Sequence, residues 1–231
     1  MLTGLIIPQI SGFVKPDFSV FFPLDKRSFL CYNKIVSIRQ LNKGGCTVSE
    51  ETVVRNCAPT LAGIKTGNLF RCRYDSIVEM RDSVRFWNRK LHSKGVRILP
   101  LRYCGHHALI YLYRPAQLAD DLHNDQAKAI LRHCGYRPDT AEKCIATLMQ
   151  RMRESDDFPH EIGLFLGYPP EDVSGFIAHH ACGYKCAGCW KVYGDEQKCR
   201  RLFAKYKQCT RIYETCLARG RDIVSMTVAD R

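Results

Sequence analysis

Cys182, Cys186 and Cys189 stand at C-x3-C-x2-C spacing, with His179 and His180 just ahead of them and Gly183 and Gly188 between. Thiolates and a neutral imidazole are soft ligands, so three of these cysteines with one histidine would suit zinc or an iron–sulfur cluster. Glycine on either side would let the backbone wrap the ion. The competing reading is packing, because a zinc ribbon needs a second CxxC and Cys189 beside Trp190 fits a core. Radical enzymes use the same spacing on a long barrel, but too little chain follows Cys189 to build one. A metal-binding or redox accessory protein is the first function class.

Cys57 offers a second chemistry. It stands just before Ala58-Pro59-Thr60, which reads as the start of a helix over 61–65, since proline suits a first turn. Unpaired amides and the helix dipole would favour thiolate there, making Cys57 a candidate nucleophile. Its base would be His106 or His107, or else His160 beside Glu161 in the first turn of another helix. A thiol-dependent enzyme requires Cys57 and the His160–Glu161 pair to meet across a hundred positions of chain. A buried cysteine and a helix-capping glutamate explain the same residues without catalysis.

Lys65 and Arg114 could hold an anionic small ligand, one near a helix and the other at the end of a strand, where such sites form. Solvated surface charge is the alternative for both. A binding module for an anionic ligand or RNA is therefore the third class.

These residues must be positioned by a mixed set of elements. Tyr74 to Lys94 repeats Ile77, Met80, Val84, Trp87 and Leu91 at three and four residues and stops at Gly95, an amphipathic helix. Runs 96–103 and 108–113 are rich in strand-forming side chains and read as a hairpin across Cys104-Gly105-His106-His107. Pro115 opens helical segments to Cys134, Thr140 caps another, and Pro159 and Pro170 open two short ones. The C-terminal unit reads as strand, helix, strand: 190–193, a long helix capped by Asp195, and 223–228. The expected fold is α/β or α+β, with a small mixed or antiparallel sheet covered by helices.

Before residue 49 the chain changes character, with short apolar scraps separated by Pro8, Pro16, Pro23 and Gly44-Gly45. Residues 1–48 are expected to be a loosely packed extension and 49–231 a globular domain. The first 14 residues lack a basic start and are broken by Pro8 and Gly12, fitting neither a signal peptide nor a membrane span. Thirteen cysteines, an odd number, beside aliphatic neighbours read as reduced thiols in a cytoplasmic protein. The net charge of +12 is scattered, without a basic run or an RNP-like aromatic strand. That pattern argues for solubility and against a nucleic-acid partner.

Four stretches together resemble a bacterial family known only as a domain of unknown function. They are CAPTLAGIKTGNLF at 57–70, YLYRP at 111–115, FPHEIGLFLGYPPEDVSGF at 158–176 and CWKVYGD at 189–195. The resemblance extends from about residue 50 to the C-terminus and leaves 1–48 outside. It implies no activity, substrate or cofactor.

Overall fold

The computed structural model describes residues 48–155 and 158–230, so the expected extension lies outside the described residues except for Val48. A three-stranded antiparallel sheet separates two hydrophobic cores, and this α+β arrangement has helices on both faces of the sheet. Its strands are β1 (Gly67–Arg73), β2 (Arg97–Cys104) and β3 (His107–Tyr113), in the order β1-β3-β2. Successive side chains of a strand point to opposite faces. In β3 the alternation sends Tyr111 and Tyr113 into one core and Ala108, Ile110 and Leu112 into the other. The centre of the sheet is thereby buried on both sides. Pro100 is accommodated because β2 is an edge strand with a register shift between Pro100 and Arg102.

One core is closed by α1 (Glu50–Leu61) and α2 (Ile77–Leu91). Ser49 caps α1 by accepting from the amide of Thr52, and Glu50 and Glu51 complement its positive end. Val53, Val54, Cys57 and Leu61 form its buried face. On α2 most of the predicted stripe faces the core: Met80, Trp87 and Leu91 are buried and Val84 partly so, while Ile77 at the first turn is exposed. Trp87 donates its indole N–H to the carbonyl of Val48 (2.7 Å), fastening the start of the described chain to the domain.

Across the sheet lie α3 (Pro115–His123), α4 (Asp125–His133), α5 (Ala141–Glu154), α6 (Ile162–Phe165) and α7 (Pro170–Ala178). A two-stranded hairpin follows, β4 (Cys186–Ala187) with β5 (Lys191–Val192). The long α8 (Glu196–Ala218), capped by Asp195 as expected, packs along α1. Cys199 and Tyr206 on its first half belong to one core, while Tyr213 and Leu217 on its second half pack against the other.

Three expectations change. Strand β1 is absent from the sequence-based expectation, and it supplies the third strand of the main sheet; the expected strand at 190–193 pairs instead, as β5, with β4 in a separate hairpin. The run 223–228 is not a closing strand but one helical turn, α9 (Ile223–Met226), because Asp222 caps it by accepting from the amide of Ser225. Helix α1 runs unbroken through Pro59 rather than restarting there. Proline removes only the amide that would have reached the carbonyl of Arg55, near the end of a helix whose other face is sealed in the core.

Candidate functional site

Lys65 lies in the loop between α1 and β1, where Gly63 (φ +70°) provides the left-handed turn that ends the helix. It is 6 % exposed. Its ammonium donates to the carbonyl of Gly67 and sits over the ring of Tyr168, 5.4 Å from the centroid. Among the described residues it has no carboxylate partner. Burial pulls its pKa down to about 8. Burial also pushes the thiols of Cys57 and Cys189 up, so they stay neutral and provide no counter-ion.

Lys65 lines a cleft of about 330 Å³ with Thr66, Asp120, Asp121, Gly167 and Tyr206 among its other walls. The hydroxyl of Thr66 donates to Asp121. Gly167 (φ +70°) passes so close to Thr66 that a side chain at 167 would collide with that hydroxyl. Desolvation raises the Asp121 carboxyl, with Asp120 adding to the shift and Thr66 opposing it. Tyr206 is pushed up to about 12, chiefly by burial, so its phenol keeps its proton at neutral pH. The cleft therefore combines a buried amine whose pKa is pulled down to about 8 with a carboxyl group and a protonated phenol.

The predicted thiol site does not assemble. Cys57 is fully buried in the interior of α1, so the helix start that would have stabilised a thiolate does not exist, and burial holds the thiol protonated. Glu161 is buried in a different core, where it accepts from the phenol of Tyr136 and from Arg151, both at 2.9 Å. His160 is exposed and packs against the edge of Phe176. Glu161 thus anchors α5 and the loop after α4 to the turn before α6, and its partners do not include Cys57.

Nor do the metal candidates converge. Among the described residues, no group of three or more histidine, cysteine, aspartate and glutamate side chains is placed to hold a metal ion. Cys182 is exposed, Cys186 turns into the core from β4, and Cys189 is half-buried in the turn of the β4–β5 hairpin. His179 stacks on Tyr193, and His180 is exposed with a left-handed backbone (φ 48°).

Arg114 is a clamp rather than a ligand site. It is 1 % exposed, and its Nε donates to Thr60 O and one terminal nitrogen to Leu61 O and Val228 O. The other terminal nitrogen donates to Lys94 O and to Asp230. A guanidinium has five N–H groups, and five acceptors take them all. Thr60 and Leu61 carry the last carbonyls of α1, where positive charge is favourable.

Asp121 and Tyr206 are not singled out by the sequence as site residues. Tandem aspartates shortly after the Arg114-Pro115 helix start are the available signal. Asp172 is equally silent in one dimension, yet it is 2 % exposed and accepts from the Trp190 indole and from the amides of Tyr193 and Gly194, each at 2.7 Å. This one carboxylate joins the stretch at 158–176 to the stretch at 189–195.

A family model described as a protein of unknown function (DUF3793) matches residues 53–227, taking in all four of the stretches that carry the resemblance. No curated protein and no solved structure matches the chain. Among the described residues, no helix is long and apolar enough to cross a membrane.

Proposed function

We propose that this chain, which belongs to the DUF3793 family of proteins of unknown function, binds a small anionic ligand in the cleft beside Lys65. The burial of Lys65 without a counter-ion carries this reading. A desolvated ammonium is costly unless an anion compensates it, and the ligand's phosphate or carboxylate would supply that compensation. Asp120 and Asp121 line the same cleft and suit hydroxyl or amino donors elsewhere on the ligand. The ligand class is thus a small molecule with an anionic end and a hydrogen-bonding end.

Titration calorimetry with inorganic phosphate, sugar phosphates and short hydroxy, amino and 2-oxo acids tests the reading. At least one is expected to bind the native chain and to bind Lys65→Met at least about tenfold more weakly, the loss of one charge-assisted contact. Affinity should also fall as pH rises above about 8, where free Lys65 loses its proton. Absence of binding across the panel, or equal binding to both proteins, overturns the proposal.

A further inference from the structure

We propose that Lys65 is a nucleophilic amine, condensing with the carbonyl of a small aldehyde or 2-oxo acid that carries its own anionic group; this rests on the reading of the cleft as an anion site. The geometry supports it at three points. Lys65 lines the cleft while being almost wholly buried, and no carboxylate among the described residues holds it as ammonium. Its nitrogen is positioned by the Gly67 carbonyl and the face of Tyr168 rather than left mobile. The phenol of Tyr206 lines the same cleft and can deliver a proton to a developing alkoxide.

Amines add to carbonyls only when unprotonated, which is why enzymes that use lysine this way desolvate it. With its pKa near 8, about a tenth of Lys65 is neutral amine at pH 7, several hundred-fold more than for an ordinary lysine. The Nζ lone pair forms the N–C bond as the carbonyl π pair moves to oxygen, which takes a proton from Tyr206. The carbinolamine then breaks its C–O bond. Its hydroxyl leaves as water with a second proton, one of which comes from nitrogen, to give a protonated imine. Amine, carbonyl and one proton from solvent thus become iminium and one water, with no oxidant or reductant. The iminium keeps the positive charge that the ligand's anionic group was recruited to neutralise.

Glyoxylate and sodium cyanoborohydride, incubated with the full native chain near neutral pH, test the step by peptide mass mapping. The expected result is a carboxymethyl adduct on Lys65, formed at least about tenfold faster than on the exposed lysines. Labelling of surface lysines with Lys65 unmodified overturns the inference. Calorimetry with glyoxylate lacking the reductant separates the two readings. Binding that depends on Lys65 without an adduct removes the nucleophile and leaves the anion site standing, whereas the absence of both binding and adduct removes the nucleophile, and removes the anion site as well only where phosphate and the other acids also fail to bind.

Discussion

The guanidinium of Arg114 holds the carboxylate of Asp230, 116 positions further along the chain, while the same side chain caps the end of α1. One buried cation therefore ties the last described residues to the first helix and to the strand end at β3. Lysine keeps the charge but offers three donors from a single point and cannot span five acceptors. Arg114→Lys is expected to lose on the order of 3 kcal/mol of unfolding free energy, and Asp230→Ala about 1–2 kcal/mol, since that residue is partly solvated. Urea denaturation measures both. A loss below about 1 kcal/mol for Arg114→Lys would show that water or another side chain replaces the clamp.

This clamp also marks where sequence reading stops. Periodicity locates α2 and α8, because a long amphipathic stripe repeats often enough to be seen in one dimension, and Ser49, Thr140 and Asp195 cap as their side chains require. In contrast, β1 is hidden. Arg71 and Arg73 interrupt its apolar run, and what buries Phe70 and Cys72 is contact with α1 and β3, information spread over distant segments. The run 223–228 misleads for the opposite reason: β-branched residues favour a strand, but a single Asp222 cap bends them into a turn. In the candidate site, Lys65 is visible as a charge and its burial is not. Nor can spacing say whether Arg114 faces a ligand or five carbonyl and carboxylate oxygens of its own chain.

Asp172 sets up a second prediction. Its carboxylate accepts from an indole, two backbone amides and, more weakly, the thiol of Cys199 at 3.4 Å. An amide at this position would present N–H groups to donors. Asp172→Asn is therefore expected to cost about 2–4 kcal/mol and to shift the emission of Trp190 in the folded protein. Equilibrium unfolding followed by tryptophan fluorescence reads both effects, and an unchanged midpoint would contradict the role assigned to Asp172.

Thiol accessibility separates the cysteines sharply. Cys104 and Cys182 are exposed, whereas Cys57 is sealed in α1 with its thiol held protonated by burial. Iodoacetamide applied to the native chain should alkylate Cys104 and Cys182 and leave Cys57 intact until denaturant is added. Rapid native labelling of Cys57, mapped by mass spectrometry, would restore it as a nucleophile and rule out a purely packing role for its side chain.

Lys65 also links the cleft to stability through pH. The folded chain holds this amine at about 8, against an ordinary value of 10.5. Between those values the unfolded chain keeps the proton that the folded chain has released, so the contribution of Lys65 to folding becomes more favourable as pH rises through the window. Below about 8 the amine is charged in both states, and the folded state bears the full desolvation cost, on the order of 3 kcal/mol. Methionine fills similar space without the charge. Lys65→Met should therefore be more stable than the native chain by about 2–3 kcal/mol near pH 6.5. The advantage should shrink toward zero as pH approaches 10.5. Comparing the two proteins by urea unfolding at each pH cancels the tyrosines and thiols that titrate in the same range. A gain that does not vary with pH would place its origin in packing, and a loss at acidic pH would mean that folded Lys65 already has an anion beside it.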